Sequence, residues 1–547
     1  MYYSYRKFTP RHYEPFHPVP FRTRRETRSC KELHVTEADG TWIKSNLRTT
    51  PTGMSLTALP PEIFILILAG YCDIATLLAL GQTCKALRPL SFSKAIWVSH
   101  IKRLQQQGLI ARREAPDPSK LSTEELVDLV KRVVLGPESW RVADGQESFE
   151  HHLGIARTTL PAPIPADWEG LRRYRPVTFL PGDDFLVVKG DNSLDCWDIE
   201  RARKIWHSKP PRENMVLLVY AVERCASQML RFAMVYATLN NEYSIFEVVQ
   251  LDLTSDLDLC VVQTQLRELE IVALSPCTEA RLYGDFGILN LDKTNELFLI
   301  NWRAKSAARI DTLDYYVRRM NLEANFITLL LEGDWVPHAS VVASSSIYLQ
   351  IYDPQSVVLE PFESPTQFDK DFPVLFLSTL SPILQQKIMP ADPTRRESQH
   401  ALFVYPSPLA DDTFRVWVRA YQHGDSTVLR RFSLALPTRA GCEQQARLEP
   451  APSGPKTTSL RRNGGIISPN RMHTSITYSG HGQLLLRRGT ISRGEIRLAL
   501  VQVVHPHGHQ GLIELPDLKG GGYVFMSPFS GAWAYAERDE ITILRFK

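Results

Sequence analysis

Three histidines at two-residue spacing, His505, His507 and His509, come nearest to a metal site in this 547-residue chain. On a strand, alternate side chains share a face, and imidazoles on one face can hold zinc. Pro506 and Gly508 stand between them and no cysteine or carboxylate cluster joins them, so a solvated loop is the expectation. The eight cysteines (Cys30, Cys72, Cys84, Cys196, Cys225, Cys260, Cys277 and Cys442) are scattered, without a CxxC pair. That argues against zinc clusters and a disulfide framework. The acidic pairs Asp183-Asp184 and Asp411-Asp412 stand beside turn residues and read as turn formers, not general acids. The chain contains no P-loop, GxGxxG, HExxH or GxSxG motif. The expectation is no catalytic residue, no metal and no cofactor.

Hydrophobic residues make up 44% and charged residues 22%, an ordinary globular balance, in a chain too long for one core. Net charge is +3, so nothing demands nucleic acid or an anionic membrane. The strongest apolar run, 63–68, falls far short of the ~18–20 residues that span a bilayer. No signal-peptide core opens the chain. A reducing compartment, cytoplasmic or nuclear, is expected.

Residues 1–53 are Pro-rich, lack apolar periodicity and read as a disordered tail whose arginines (Arg22, Arg24, Arg25, Arg28) form a solvated basic patch. Met54 is a candidate alternative start. Residues 54–107 then change character. Pro60 and Pro61 can open a helix, where a missing N–H costs nothing. Ile63, Leu66 and Ile67 make an apolar stripe at i, i+3 and i+4. Asp73 can cap a second helix with Ile74, Leu77, Leu78 and Gly81 inward, and Ser93 a later one carrying Ile96, Trp97, Ile101 and Leu104. Fifty residues bury too little to be comfortable alone, yet Ile65, Leu68 and Leu80 add further apolar surface. Such a unit either packs on its own chain or binds a partner.

The run Leu59-Pro60-Pro61-Glu62-Ile63-Phe64-Ile65-Leu66-Ile67-Leu68 resembles the opening of an F-box. The step Tyr71-Cys72-Asp73 stands where that family has Leu-Asp. The segment Leu77-Leu78-Ala79-Leu80-Gly81-Gln82-Thr83-Cys84-Lys85 resembles its Leu-rich helix, with Thr83 in place of Val, and Ile96-Trp97 resembles its closing Leu-Trp. The resemblance covers about 45 residues, in the order and spacing of the family. It implies that Leu59, Pro60, Glu62, Ile63, Ile67, Leu68, Leu77, Leu80 and Trp97 dock a Skp-type adaptor, which in turn binds a cullin. It also implies a substrate-recruiting subunit of a ubiquitin ligase that performs no chemistry itself. The alternative is a scaffold working with a Skp-type partner outside ubiquitination.

Residues 108–166 read as a linker helix, with Leu126, Leu129, Val130 and Val133 inward, followed by a tether carrying Pro161, Pro163 and Pro165. From 167 to 547 the pattern is β. Hairpins are expected at 185–189 with 194–199, 231–239 with 243–253, 286–291 with 297–302, and 340–343 with 347–353. Trp197-Asp198 is a dipeptide common in propeller blades. Steps of about fifty residues separate Trp197, Leu251, Trp302 and Tyr352, which is blade-sized. Weaker strand signals at Val416-Trp417, 498–504 and 541–546 bring the count to seven. The expected architecture is a small all-α module plus a large all-β domain, a seven-bladed β-propeller with an insertion near 437–469; the alternative is a non-propeller β domain, or two of them. The propeller's last strand would close the ring beside the first.

Related F-box propellers hold phosphorylated or acidic peptides on arginines, whose fork matches phosphate. The candidates here are Arg172, Arg173, Arg175, Arg318, Arg319, Arg461, Arg462 and Arg471, with at least three from different blades meeting at one mouth. Singly, each reads as solvated surface charge.

Overall fold

Pro60 and Pro61 start α1 (Pro61–Tyr71), with Glu62 in the first turn beside the positive end of the helix dipole. The computed structural model describes residues 59–136, 155–161 and 177–546, apart from short connecting stretches within them. α2 (Ile74–Thr83) is capped by Asp73, whose Oδ1 accepts from the Thr76 N–H at 2.7 Å. A single-turn α3 (Arg88–Ser91) leads to α4 (Lys94–Gln106). Ser93 stands at the N-cap of α4 but its side chain makes no capping bond, contrary to expectation. α5 (Thr123–Leu135) has a full capping box. Ser122 Oγ accepts from the Glu125 N–H at 3.2 Å, and Glu125 Oε2 accepts from the Ser122 N–H at 2.7 Å.

Two small cores hold these helices. Phe64, Leu68, Leu77 and Ile96 form one. Ile74, Trp97, Ile101 and Leu104 join the buried stripe of α5 in the other. Gly81 is required where α2 meets α3, because a Cβ there would lie 2.8 Å from Ser91 Oγ.

The β part comprises seven mainly antiparallel sheets among the described residues. The first spans 177–207, the second 215–271, the third 277–311, the fourth 316–390, the fifth 401–460, the sixth 476–513 and the seventh 523–546. Strand Ile155–Leu160 joins the seventh, pairing with Ile541–Phe546. The first five sheets, and the seventh with the first, share cores because both faces of their strands are apolar. Phe185 and Val187 turn toward the second sheet, whereas Leu186 and Val188 turn toward the seventh. Similar shared cores join the second to the third, the third to the fourth and the fourth to the fifth. Strand Ile476–Tyr478 of the sixth lies beside Tyr523–Met526 of the seventh.

Several sequence expectations change here. Strand Ser346–Tyr352 pairs with Phe326–Gly333, not with 340–343, which lies outside the described residues. Phe326 to Leu331, interrupted only by Thr328, is a longer apolar run than Val341-Val342-Ala343, and its residues 327–331 are buried on both faces. The tether supplies a strand, Ile155–Leu160, which pairs antiparallel with the last strand from Ile155–Phe546 to Leu160–Ile541. The insertion near 437–469 contains two strands of the fifth sheet, Arg447–Pro450 and Thr458–Leu460. A feature not expected is the connection between the last two strands of the fourth sheet. It adds Glu360–Pro361 and Val374–Phe376 to the edge of the third sheet, and Gln367–Phe368 to the edge of the second. Edge strands covered this way are closed to pairing with other chains. The N-terminal tail, Met54 and the three histidines lie outside the described residues.

Candidate interaction site

α1 is apolar on nearly every side, so its periodicity does not choose an inward face. Tertiary packing does. Phe64 and Leu68, four residues apart, face α3 and α4. The stripe of Ile63, Leu66 and Ile67 faces out, with exposures of 45%, 66% and 39%. Tyr71 continues it at 89%. Exposed large apolar side chains are normally scattered, and four on one helix face form a patch.

The expected adaptor-binding residues divide accordingly. Pro60, Glu62, Ile63 and Ile67 are exposed, and Leu59 and Leu80 are half-buried. Leu68, Leu77 and Trp97 are buried and present no surface to a partner, a correction to the sequence expectation. Their work is internal: Trp97 Nε1 donates to the Ser91 carbonyl at 3.1 Å, and Leu68 and Leu77 fill the core under α1. Leu66 and Tyr71 are the residues missed. The apolar character of Leu66 was legible, but its direction was not.

The other side of the module lies on the β part. The Ala75 N–H donates to the Leu409 carbonyl at 2.9 Å, and Arg103 pairs with Asp411 at 3.0 Å. Leu409 and Phe529 pack against the core of Ile74, Trp97 and α5. Gly108, at φ +73°, lies where any Cβ would collide with Pro181. These contacts use the turns joining the first two strands of the fifth, seventh and first sheets. His100 of α4 is buried near Leu68 of α1, with Arg103 and Asp73 beside it. Burial and the neighbouring Arg103 hold its pKa down to about 4, against a smaller opposing pull from Asp73.

The two acidic pairs do more than turn the chain. Asp183, buried at φ 53°, accepts from Ser527 Oγ at 2.6 Å and from Ser530 Oγ, tying the first sheet to the seventh. Asp184 pairs with Arg224 of the second sheet at 3.2 Å. The same device recurs further on. Glu223 accepts from Arg231 and from the Gly284 N–H, both at 2.9 Å, so the second sheet grips a turn of the third. Arg231 lies 4.6 Å over the Trp302 ring, and Trp302 Nε1 donates to the Gly284 carbonyl. Glu279 of the third sheet accepts from the Met320 N–H of the fourth. Glu323 lies in the field of Glu223 and Arg281, and burial followed by Glu223 pushes its pKa up to about 8.

Of the arginine candidates, only Arg318 and Arg319 are described. Both belong to the fourth sheet. Arg318 pairs with Glu332 and stacks on Tyr316, while Arg319 is exposed. The expected meeting of three sheets at one mouth is not formed by these two, and the other six lie outside the described residues. Among the described residues no three His, Cys, Asp or Glu side chains gather as a metal site, and no helix is long and apolar enough to cross a membrane.

No family model matches this chain, and no curated protein matches it. Among solved structures it is similar to the WD40 domain of SCAP from fission yeast, at 8% identity and a TM-score of 0.38 over 68% of this chain and 81% of that one. A streptogramin B lyase is 8% identical, with a TM-score of 0.33 over 72% and 98%. AztD from Citrobacter koseri is 10% identical, with a TM-score of 0.31 over 64% and 75%. The strand pairing, not these likenesses, defines the architecture described above.

Proposed function

We propose that this chain recruits a substrate protein to a cullin-type ubiquitin ligase, through a Skp-type adaptor docked on its helical module, and performs no chemistry itself. The observation that carries the reading is the outward face of α1, where Ile63, Leu66, Ile67 and Tyr71 lie open within a segment whose motif order resembles an F-box. An apolar helix face lying in a partner's groove is a recurrent recognition mode.

In the same reading the seven sheets are blades of a closed propeller, with Ile155–Leu160 and Ile541–Phe546 completing one blade from the two ends of the β part. Closure of this kind removes free sheet edges and gathers loops at two ends, a platform for a protein partner. A target held there would stay near activated ubiquitin carried by another subunit, so rate enhancement comes from proximity.

The test is capture of a recombinant Skp-type adaptor by the full chain, and co-purification of a cullin with it. The double variant Ile63→Glu, Ile67→Glu is expected to abolish capture without lowering the melting temperature. Undiminished capture would sink the docking reading. Adaptor without cullin would favour a scaffold outside ubiquitination.

A further inference from the structure

The exposed positions of α1 and the short helices around it carry more cations than carboxylates, Glu62 being the exposed carboxylate. Between residues 59 and 107 the chain has only two carboxylates, Glu62 and Asp73. Asp73 is half-buried and held by the Thr76 N–H. The cations are more numerous and better exposed. Arg88 opens α3, which packs beside α1 through Leu87 and Leu90. Lys85 lies just before it, between α2 and α3. Lys102 is one helical turn beyond Ser99, whose Oγ donates to the Ala69 carbonyl in the last turn of α1. All three are exposed. Lys94 is exposed too, but it faces Glu125 of α5 and so is already compensated.

We propose that the partner of α1 is an acidic protein surface: an apolar groove for Ile63, Leu66, Ile67 and Tyr71, edged by carboxylates that meet Lys85, Arg88 and Lys102. The inference rests on the docking reading above and specifies its partner. A second copy of this chain fits poorly, because two such faces would oppose their own cations. Exposed ion pairs add little affinity, so the charges act on encounter rate and on rejection of wrong partners.

The experiment measures association of the full chain with a recombinant Skp-type adaptor, between about 0.05 M and about 0.5 M salt, where screening tightens several-fold. The rate is expected to fall steeply with salt. The triple variant Lys85→Glu, Arg88→Glu, Lys102→Glu should slow association about tenfold or more at low salt, in the range that charge steering commands. At high salt it should match the parent, with an unchanged melting temperature. Association that ignores salt, or a triple variant as fast as the parent, overturns the inference and leaves the docking reading standing. No association at any salt overturns both. Self-association of the chain that Ile63→Glu removes overturns it in favour of a second copy.

Discussion

α1 and α5 are helices of similar length, 11 and 13 residues, in one module, and they finish their surfaces differently. α5 buries Leu126, Leu129, Val130 and Val133 and turns Glu124, Glu125, Asp128, Lys131 and Arg132 to water. α1 buries Phe64 and Leu68 and leaves Ile63, Leu66, Ile67 and Tyr71 in water. A large apolar side chain left fully exposed forgoes about 1.5–3 kcal/mol of burial, and a half-exposed one such as Ile63 a part of that. α5 leaves only Leu135 of its large apolar side chains open, whereas α1 leaves four. A helix read only for its inward stripe would make the two equivalent.

The comparison breaks most visibly under truncation of the inner faces. Leu68→Ala should cost about 2–5 kcal/mol of module stability by opening a cavity, and Leu129→Ala should cost a similar amount. Chemical denaturation followed by tryptophan fluorescence checks both. The outer faces should then part company. Leu66→Ala with Tyr71→Ala is expected to weaken adaptor capture by about 2 kcal/mol or more and leave the melting temperature unchanged. Glu124→Ala with Lys131→Ala on α5 should change neither. A loss of stability in the α1 pair would place those side chains in the fold instead of an interface.

His100 sharpens the contrast, since it lies under α1. Its folded pKa of about 4 is below the ordinary histidine value. The unfolded chain therefore binds the extra proton first as pH falls. Stability should be level above the ordinary value, decline as pH drops toward about 4, and level again below it. His100→Gln should flatten that decline in a pH series of thermal melts. The smallest effect belongs to α5. Ser122→Ala removes half of the capping box and should cost about 1 kcal/mol, read by the same melts.

Much of this was legible before any coordinates. Pro60, Pro61 and Asp73 mark helix starts through local backbone chemistry, and the structure uses them. Strands at 185–189, 286–291 and 541–546 were readable because alternating or continuous apolar runs bounded by turns have few other fates. Ser93 shows the limit of the same reasoning, since a good capping residue at the right place makes no capping bond. The partnership of 326–333 with 346–352 was misread because strand pairing is non-local and both candidates fit the spacing.

The kinds of element, their order and the supply of apolar surface follow from residue type and from neighbours along the chain. Direction came from packing between elements. A helix apolar on all sides has no preferred face until α3 and α4 choose Phe64 and Leu68, and by that choice leave Ile63, Leu66, Ile67 and Tyr71 outside. Turn residues such as Asp183 and Asp411 became clasps in the same way. Their local role needs only the backbone, but their partners, Ser527 and Arg103, lie hundreds of residues away and meet them only when the sheets and helices have packed.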